Sequence, residues 1–131
     1  MTGERGSMLP AFAGLVFVSL VILALAVEIA SFGVAYRQTA DLADVAAESG
    51  ASMIDESALH IGLTVVDEQA AVREALAVVS GAGGRDTARV DASPDRVCVS
   101  VTRVHEATAL SILSIGAVDV EVTSCAVPRT G

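Results

Sequence analysis

The sequence contains no lysine and no tryptophan, and only 3% of its residues are aromatic. Nucleic-acid interfaces depend on clustered basic side chains, so the lack of lysine and the net charge of −8 disfavour binding to nucleic acid. With so few aromatic residues, a soluble core must be built from valine, leucine, isoleucine and alanine. A chain of 131 residues accommodates one extramembrane domain at most, with a small core.

The sequence also lacks the motifs of common catalytic and ligand-binding sites. It has no G-x-S-x-G motif, and the glycine-rich residues 81–85 lack the spacing and the Lys-Ser/Thr pair of a phosphate loop. The acidic pairs at 55–56 and 67–68 are typical of solvated helix ends, and His60 and His105 are isolated. We therefore predict a non-enzymatic protein with no cofactor, no metal site and no small-molecule substrate.

An uncharged run of twenty residues, Met8 to Val27, lies near the N-terminus. About 20 apolar residues in a helix cross the hydrocarbon core of a bilayer. This predicts a transmembrane helix and interface over residues 8–36, between a cytoplasmic head (1–7) and an extracytoplasmic domain (37–131). The helical pattern continues to the mid-50s, and its second half is amphipathic. One side carries Arg37, Asp41, Asp44 and Glu48, and the other carries Leu42, Val45, Ala46 and Met53.

Charge near the run slightly favours a cytoplasmic N-terminus. Arg5 and the terminal amine precede the run, whereas Arg37 follows it and is itself followed by acids.

Glu28 directly follows the run and has two interpretations. It marks the outer membrane interface, which we favour, or it is an intramembrane acid that faces a partner. Small residues along the run would let partner helices approach closely, although alanine is common throughout this chain.

Beyond the membrane, the pattern predicts a second helix and three antiparallel strands, and hence an α+β fold. Residues 67–80 are amphipathic, begin with acids and end at a glycine cluster. Residues 88–104 predict two strands joined by a turn over residues 92–95, and the alternation in residues 117–127 predicts the last strand. Residues 105–117 predict a short helical turn or a crossover between the last two strands.

Cys98 and Cys125 are the only cysteines, and both lie in predicted strands. An even pair in a small extracytoplasmic domain predicts a disulfide. The loop that it would close contributes on the order of 3 kcal/mol to stability in the loop-entropy treatment. Two buried free thiols are the alternative.

The N-terminal segment has three alternative fates. It is an uncleaved anchor, or a secretory signal cleaved after Ala24-Leu25-Ala26, or a substrate for a prepilin-type peptidase at Gly6-Ser7. The length of the run and the unbroken helical pattern through residue 36 count against the secretory signal.

Residues 4–51 resemble the N-terminal helix of TadE/TadG-like proteins of the tight adherence (Flp) pilus system. The resemblance lies in the head Glu4-Arg5-Gly6-Ser7, in Ala26-Val27-Glu28 near the end of the membrane helix, and in Tyr36-Arg37 leading to residues 43–47, ADVAA. The valine-rich strand, the linker from Leu113 to Gly116 and the final strand are similar too. TadE-like pseudopilins that are cleaved usually carry Glu at the fifth position after the cleaved glycine, where this chain has Ala11. That departure is closer to TadG-like or other minor members, which need not be cleaved.

The resemblance implies a minor pilin, or pseudopilin, or a pilus-assembly component of a type IV-like system. Its location would be the cytoplasmic (inner) membrane as a single-pass protein, with incorporation into surface pili as a further expectation. Its partners would be the membrane and other pilins or assembly proteins, contacted through the N-terminal helix. The alternative is a membrane-anchored or secreted small binding protein unrelated to pili.

Overall fold

The computed structural model describes residues 8–107 and 116–129. Its elements in chain order are α1 (Met8–Ala51), α2 (Glu56–Leu59), α3 (Glu68–Gly81), β1 (Thr87–Ser93), β2 (Arg96–Glu106) and β3 (Ala117–Ala126). The strands form one antiparallel sheet, and the second half of α1 and α3 pack on it. The predicted α+β fold with a long apolar first helix and a three-stranded sheet is confirmed. Most of the predicted turn or crossover over residues 105–117 lies outside the described residues.

Helix α1 runs unbroken for 44 residues. Alanine, leucine and other good helix formers are frequent in it, and Pro10 lies in the first turn, where a missing N–H costs little. The helix ends at Ala51, earlier than the predicted mid-50s. It ends there because Ile54 forms an antiparallel bridge with Val66, and Asp55 already caps the next helix.

Both short helices begin at an aspartate of the acidic pairs. Asp55 accepts hydrogen bonds from the backbone N–H groups of Ser57 and Ala58, and Asp67 accepts one from Ala70 at 3.0 Å. The hydroxyl and the backbone N–H of Ser57 lower the pKa of Asp55. The interpretation of these pairs as solvated helix ends is confirmed, because each aspartate is an N-cap.

The sheet has the order β1-β2-β3. Ser93 pairs with Arg96, so the connection between β1 and β2 is the two-residue turn Pro94-Asp95 within the predicted turn. Strands β2 and β3 pair from Val97 with Ala126 to Glu106 with Ala117. The predicted alternation is confirmed, with Val97, Val99 and Val101 of the central strand fully buried towards the helices.

The core between the helices and the sheet is made mostly of small side chains. Its buried members are Ala43, Ala46, Ala47, Ala51, Val66, Ala71, Ala75, Val79, Val97, Val99 and Val101. At Gly50 the elements approach so closely that an added Cβ would lie 3.1 Å from Val97 Cγ1 and 3.2 Å from the carbonyl oxygen of Ala71. The absence of a side chain at Gly50 therefore lets α1, α3 and β2 meet.

The inward-facing stripe of α1 differs from the apolar side that the sequence predicts. The sequence pattern predicts Val45 on that side, but Val45 is 54% exposed and lies on the acidic face. Small residues occupy the inward stripe because the helix lies close to the sheet, so side-chain hydrophobicity alone is a poor guide to burial here. Buried or half-buried positions recur at Glu28, Ser31, Ala35, Thr39, Leu42, Ala46 and Gly50.

Candidate functional site

The first half of α1 carries a continuous apolar surface that no other described part of the chain covers. We call residues 8–27 the apolar segment. Its large apolar side chains that the structure describes are between 41% and 87% exposed. The segment is about 30 Å long at 1.5 Å per residue, which matches the hydrocarbon thickness of a bilayer.

Among the described residues, one helix is long and apolar enough to span a membrane. It is the stretch Pro10–Ala51, whose most apolar 18 residues are only 6% buried. A core helix of a soluble protein would be mostly covered by its own fold, so this low burial separates α1 from that class. Length and composition alone do not separate a membrane anchor from a signal sequence.

The sheet meets α1 at the end of the apolar segment, through His105 of β2. His105 Nε2 lies 3.9 Å from Glu28 Oε1 and 3.4 Å from Ser31 Oγ. The hydroxyl of Ser31 donates to the carbonyl oxygen of Glu28, so His105 Nε2 is the donor towards Ser31. The ring of Phe32 meets the imidazole edge-on, with centroids 6.0 Å apart. These contacts hold the end of β2 against the helix.

The sequence does not predict the pairing of Glu28 with His105. In the sequence His105 is isolated, and Glu28 has two interpretations, an acid at the membrane interface or an intramembrane acid that faces a partner. The structure gives Glu28 a neighbour from its own chain, and both side chains are largely covered, at 12% and 18% exposure. Strand alternation places His105 on the same face as Val101, and this signal could have directed it to α1.

Arg103 lies two residues before His105, on the same face of β2, and it contacts two other parts of the domain. Its Nε and Nη2 donate to the two carboxylate oxygens of Asp86 at 2.8 and 2.6 Å, and its Nη1 donates to Gln38 Oε1 at 3.0 Å. The Asp86 side chain is only 3% exposed. The hydrogen bonds from Arg103 lower the pKa of Asp86, and those to Asp86 raise the pKa of Arg103. The pair therefore ties the loop before β1 to β2 and to α1.

Asp86→Asn is expected to destabilise the folded domain at neutral pH by about 2 kcal/mol, because it removes the charge from two hydrogen bonds. The pKa of Asp86 is lower in the folded chain, so its contribution is present above the unfolded value near 4 and is lost as pH falls through the folded value. Urea unfolding at several pH values measures the difference. Asp91→Asn, on the exposed face of β1, is the matched control. An Asp86→Asn deficit that is equally large at strongly acidic pH contradicts the assignment.

The cysteines lie on the opposite face of the sheet from the helices. Cys98 pairs with Cys125 in the register of β2 and β3, and their sulfur atoms are at disulfide distance.

His60 is exposed at the end of α2, far in sequence from any strand. Across residues 8–107 and 116–129, no three His, Cys, Asp or Glu side chains converge as a metal site. The candidate processing site at Gly6 and Ser7 lies outside the described residues.

Comparisons with known proteins identify no relative: no family model matches the chain, and neither a curated protein nor a solved structure matches it significantly. The features that bear on function are the division of α1 into an exposed apolar half and a packed half, the junction at Glu28 and His105, and the sequence resemblance.

Proposed function

We propose that the protein is a TadE/TadG-like minor pilin or pilus-assembly component of a tight adherence (Flp) pilus. The apolar segment anchors it in the cytoplasmic membrane, with the N-terminus in the cytoplasm and the domain outside. The proposal rests on the difference between the two halves of α1. The first half is apolar and exposed, whereas the second half contributes buried side chains to the core of a small domain. The protein acts by helix packing, and no bond is made or broken.

The apolar segment has the surface that a partner helix needs. Among the described residues, an added Cβ at Gly14 would meet no atom within 4 Å other than those of its own stretch of helix, and the same holds at Gly33, a turn beyond the junction. Small residues on an uncovered helix let a second helix approach closely. Since α1 has no break between Gly14 and the domain, contacts made in the membrane or in a filament fix the direction in which the domain projects.

The rest of the chain supports an extracytoplasmic position. A cysteine pair at disulfide distance is typical of a compartment where disulfides persist. The head Glu4-Arg5-Gly6-Ser7 and the stretch Ala26-Val27-Glu28 carry the resemblance to TadE/TadG-like proteins. Ala11 stands where a cleaved TadE-like protein usually has Glu, which favours an uncleaved, TadG-like role over that of a major filament subunit.

The alternative is a secreted small binding protein. It is favoured by the position of Glu28, because the buried stripe of α1 begins there and cleavage after Ala26 would leave every contact of that stripe in place. Intact mass of protein purified from cells separates the two functions. We expect an uncleaved chain. A chain that begins at Ser7 means pilin-type processing, and one that begins at Val27 contradicts the anchored component.

Placing two arginines in the apolar segment, Leu20→Arg with Leu23→Arg, is expected to release the protein from membranes. Each arginine at the centre of a membrane helix costs about 3 kcal/mol. The measurement is the fraction of protein that sediments with membranes after an alkaline wash. Val45→Arg with Leu76→Arg is the matched control, because both residues are exposed in the folded domain. Equal sedimentation of the two variants would overturn the anchor.

The pilus assignment has its own test in the cells that make the protein. Surface filaments are sheared off and probed for the chain, alongside the membrane fraction. Recovery with filaments or in a complex with pilus-assembly proteins supports the proposal. A membrane-bound chain that is found with neither supports the unrelated anchored protein.

A further inference from the structure

We propose that the end of the sheet nearest to the apolar segment rests on the surface of the bilayer that α1 crosses. This end, which we call the Ala107–Gly116 end, comprises residues 104–107 and 116–119. The domain would then contact the membrane at two places, through α1 and through the sheet. The inference rests on the proposed membrane anchor but not on the pilus assignment.

The contacts between β2 and α1 give the direction in which the strand runs along the helix. Val97, at the start of β2, lies beside Gly50. Further along the strand, Arg103 donates to Gln38, and His105 reaches Ser31 and Glu28. Strand β2 therefore descends α1 towards the apolar segment as its residue numbers rise.

The contacts of Ala107 give the position along α1 at which the pairing of β2 with β3 ends. The Ala107 N–H donates to the carbonyl oxygen of Gly116 at 3.2 Å, so the pairing of β2 with β3 continues beyond His105. At 3.3 Å per strand residue, Ala107 lies about 7 Å past His105. That distance equals between four and five residues of helix rise, or roughly one turn. Ala107 is thus level with the last turn of the apolar segment, and the rest of the Ala107–Gly116 end lies just beyond it towards the domain.

Exposed apolar side chains lie at the Ala107–Gly116 end and on the neighbouring part of α1. Val104 and Val118 are 54% and 38% exposed there, and Ile29 and Phe32 of α1 are 73% and 40% exposed. Apolar side chains at the level of a membrane boundary are stabilised by contact with the headgroup and acyl boundary.

A lipid surface is the occupant that these observations favour, because the exposed apolar residues continue from a helix surface that itself needs lipid. Glu106 and Asp119 are exposed on the outer face of the same end. Their charge is repelled by anionic headgroups and keeps the contact at the headgroup level. We therefore assign the surface to zwitterionic lipid, whose headgroups carry no net charge.

The absence of tryptophan allows a direct test, since any introduced tryptophan is the only one in the chain. The full-length protein is reconstituted in phosphatidylcholine vesicles whose acyl chains are brominated either near the headgroup or near the terminal methyl. Ala117→Trp reports on the Ala107–Gly116 end, with Val104→Trp as a second variant at that end. Thr123→Trp, on the same exposed face of β3 about 20 Å away, is the matched control. Leu20→Trp reports on the apolar segment.

We expect bromine near the headgroup to remove roughly half of the fluorescence of Ala117→Trp and Val104→Trp, the depth being that of an interfacial residue. Thr123→Trp should be unaffected, and Leu20→Trp should be quenched most by bromine near the terminal methyl. If Leu20→Trp is quenched while both variants at the sheet end behave like Thr123→Trp, the inference is overturned and the anchor stands. If Leu20→Trp is not quenched either, the proposed anchor fails as well.

Discussion

Val99→Asp is expected to abolish the folded domain. Val99 is fully buried in the central strand, with Val90 of β1 and Ser124 of β3 as its register partners. Because none of the residues that form this core is charged, the new carboxylate would be buried without a counter-ion. The cost exceeds about 4 kcal/mol, which is most of the stability of a small domain. Loss of the cooperative thermal transition in detergent micelles measures it.

Val104→Asp is the matched control, because it makes the same substitution in the same strand on the opposite face. Val104 is 54% exposed, and its register partner is Asp119, so the variant loses about 1 kcal/mol or less through repulsion of like charges. A protein in which both variants unfold to the same extent would contradict the assignment of the two faces of β2.

Removal of the cysteine pair has the second largest expected effect on the stability of the folded domain. Cys98→Ala with Cys125→Ala opens a loop with a sequence separation of 27 residues, and we expect a loss of about 3 kcal/mol in the free energy of unfolding. Reduction of the wild-type protein should give a similar loss. Reductant reaches the bond readily, because Cys125 lies on the exposed face of β3.

The double variant supplies the control for that experiment. Its unfolding midpoint in denaturant should not change when reductant is added, whereas the wild-type midpoint should fall. If the wild-type protein purified from oxidising conditions contains two free thiols by mass after alkylation, the alternative of unpaired cysteines is correct.

The elements of the fold were predictable from the sequence because each has a strong local signal. The apolar run and the helical pattern predict α1, and the acidic start and glycine end predict α3. Alternation of valine with polar residues predicts the faces of β2 and β3 correctly except at Val104, which lies on the exposed face of β2. Strand pairing of Cys98 with Cys125 agrees with the predicted pair. Each of these signals comes from residues that are close together in the sequence, so it can be recognised without knowledge of the fold.

The junction at Glu28 was not predictable in the same way. Its contact with His105 joins residues that are 77 positions apart, and no local pattern specifies such a pair. The inward stripe of α1 was also misjudged at Val45, because close packing against the sheet selects alanine, threonine and glycine over larger apolar residues. Amphipathic patterns weigh side-chain hydrophobicity, whereas this interface is determined by how near the backbones lie.

A disulfide between Cys98 of the second strand and Cys125 of the third would determine how the domain carries mechanical load. Tension applied between the membrane helix and the chain beyond Cys125 would pass from Cys98 directly through the sulfur bridge. Residues 99–124 would be bypassed, so most of β2 and β3 would stay paired while the rest of the chain is stretched. His105 lies within the bypassed part, and its contact with Glu28 is therefore protected from peeling that starts at the C-terminus.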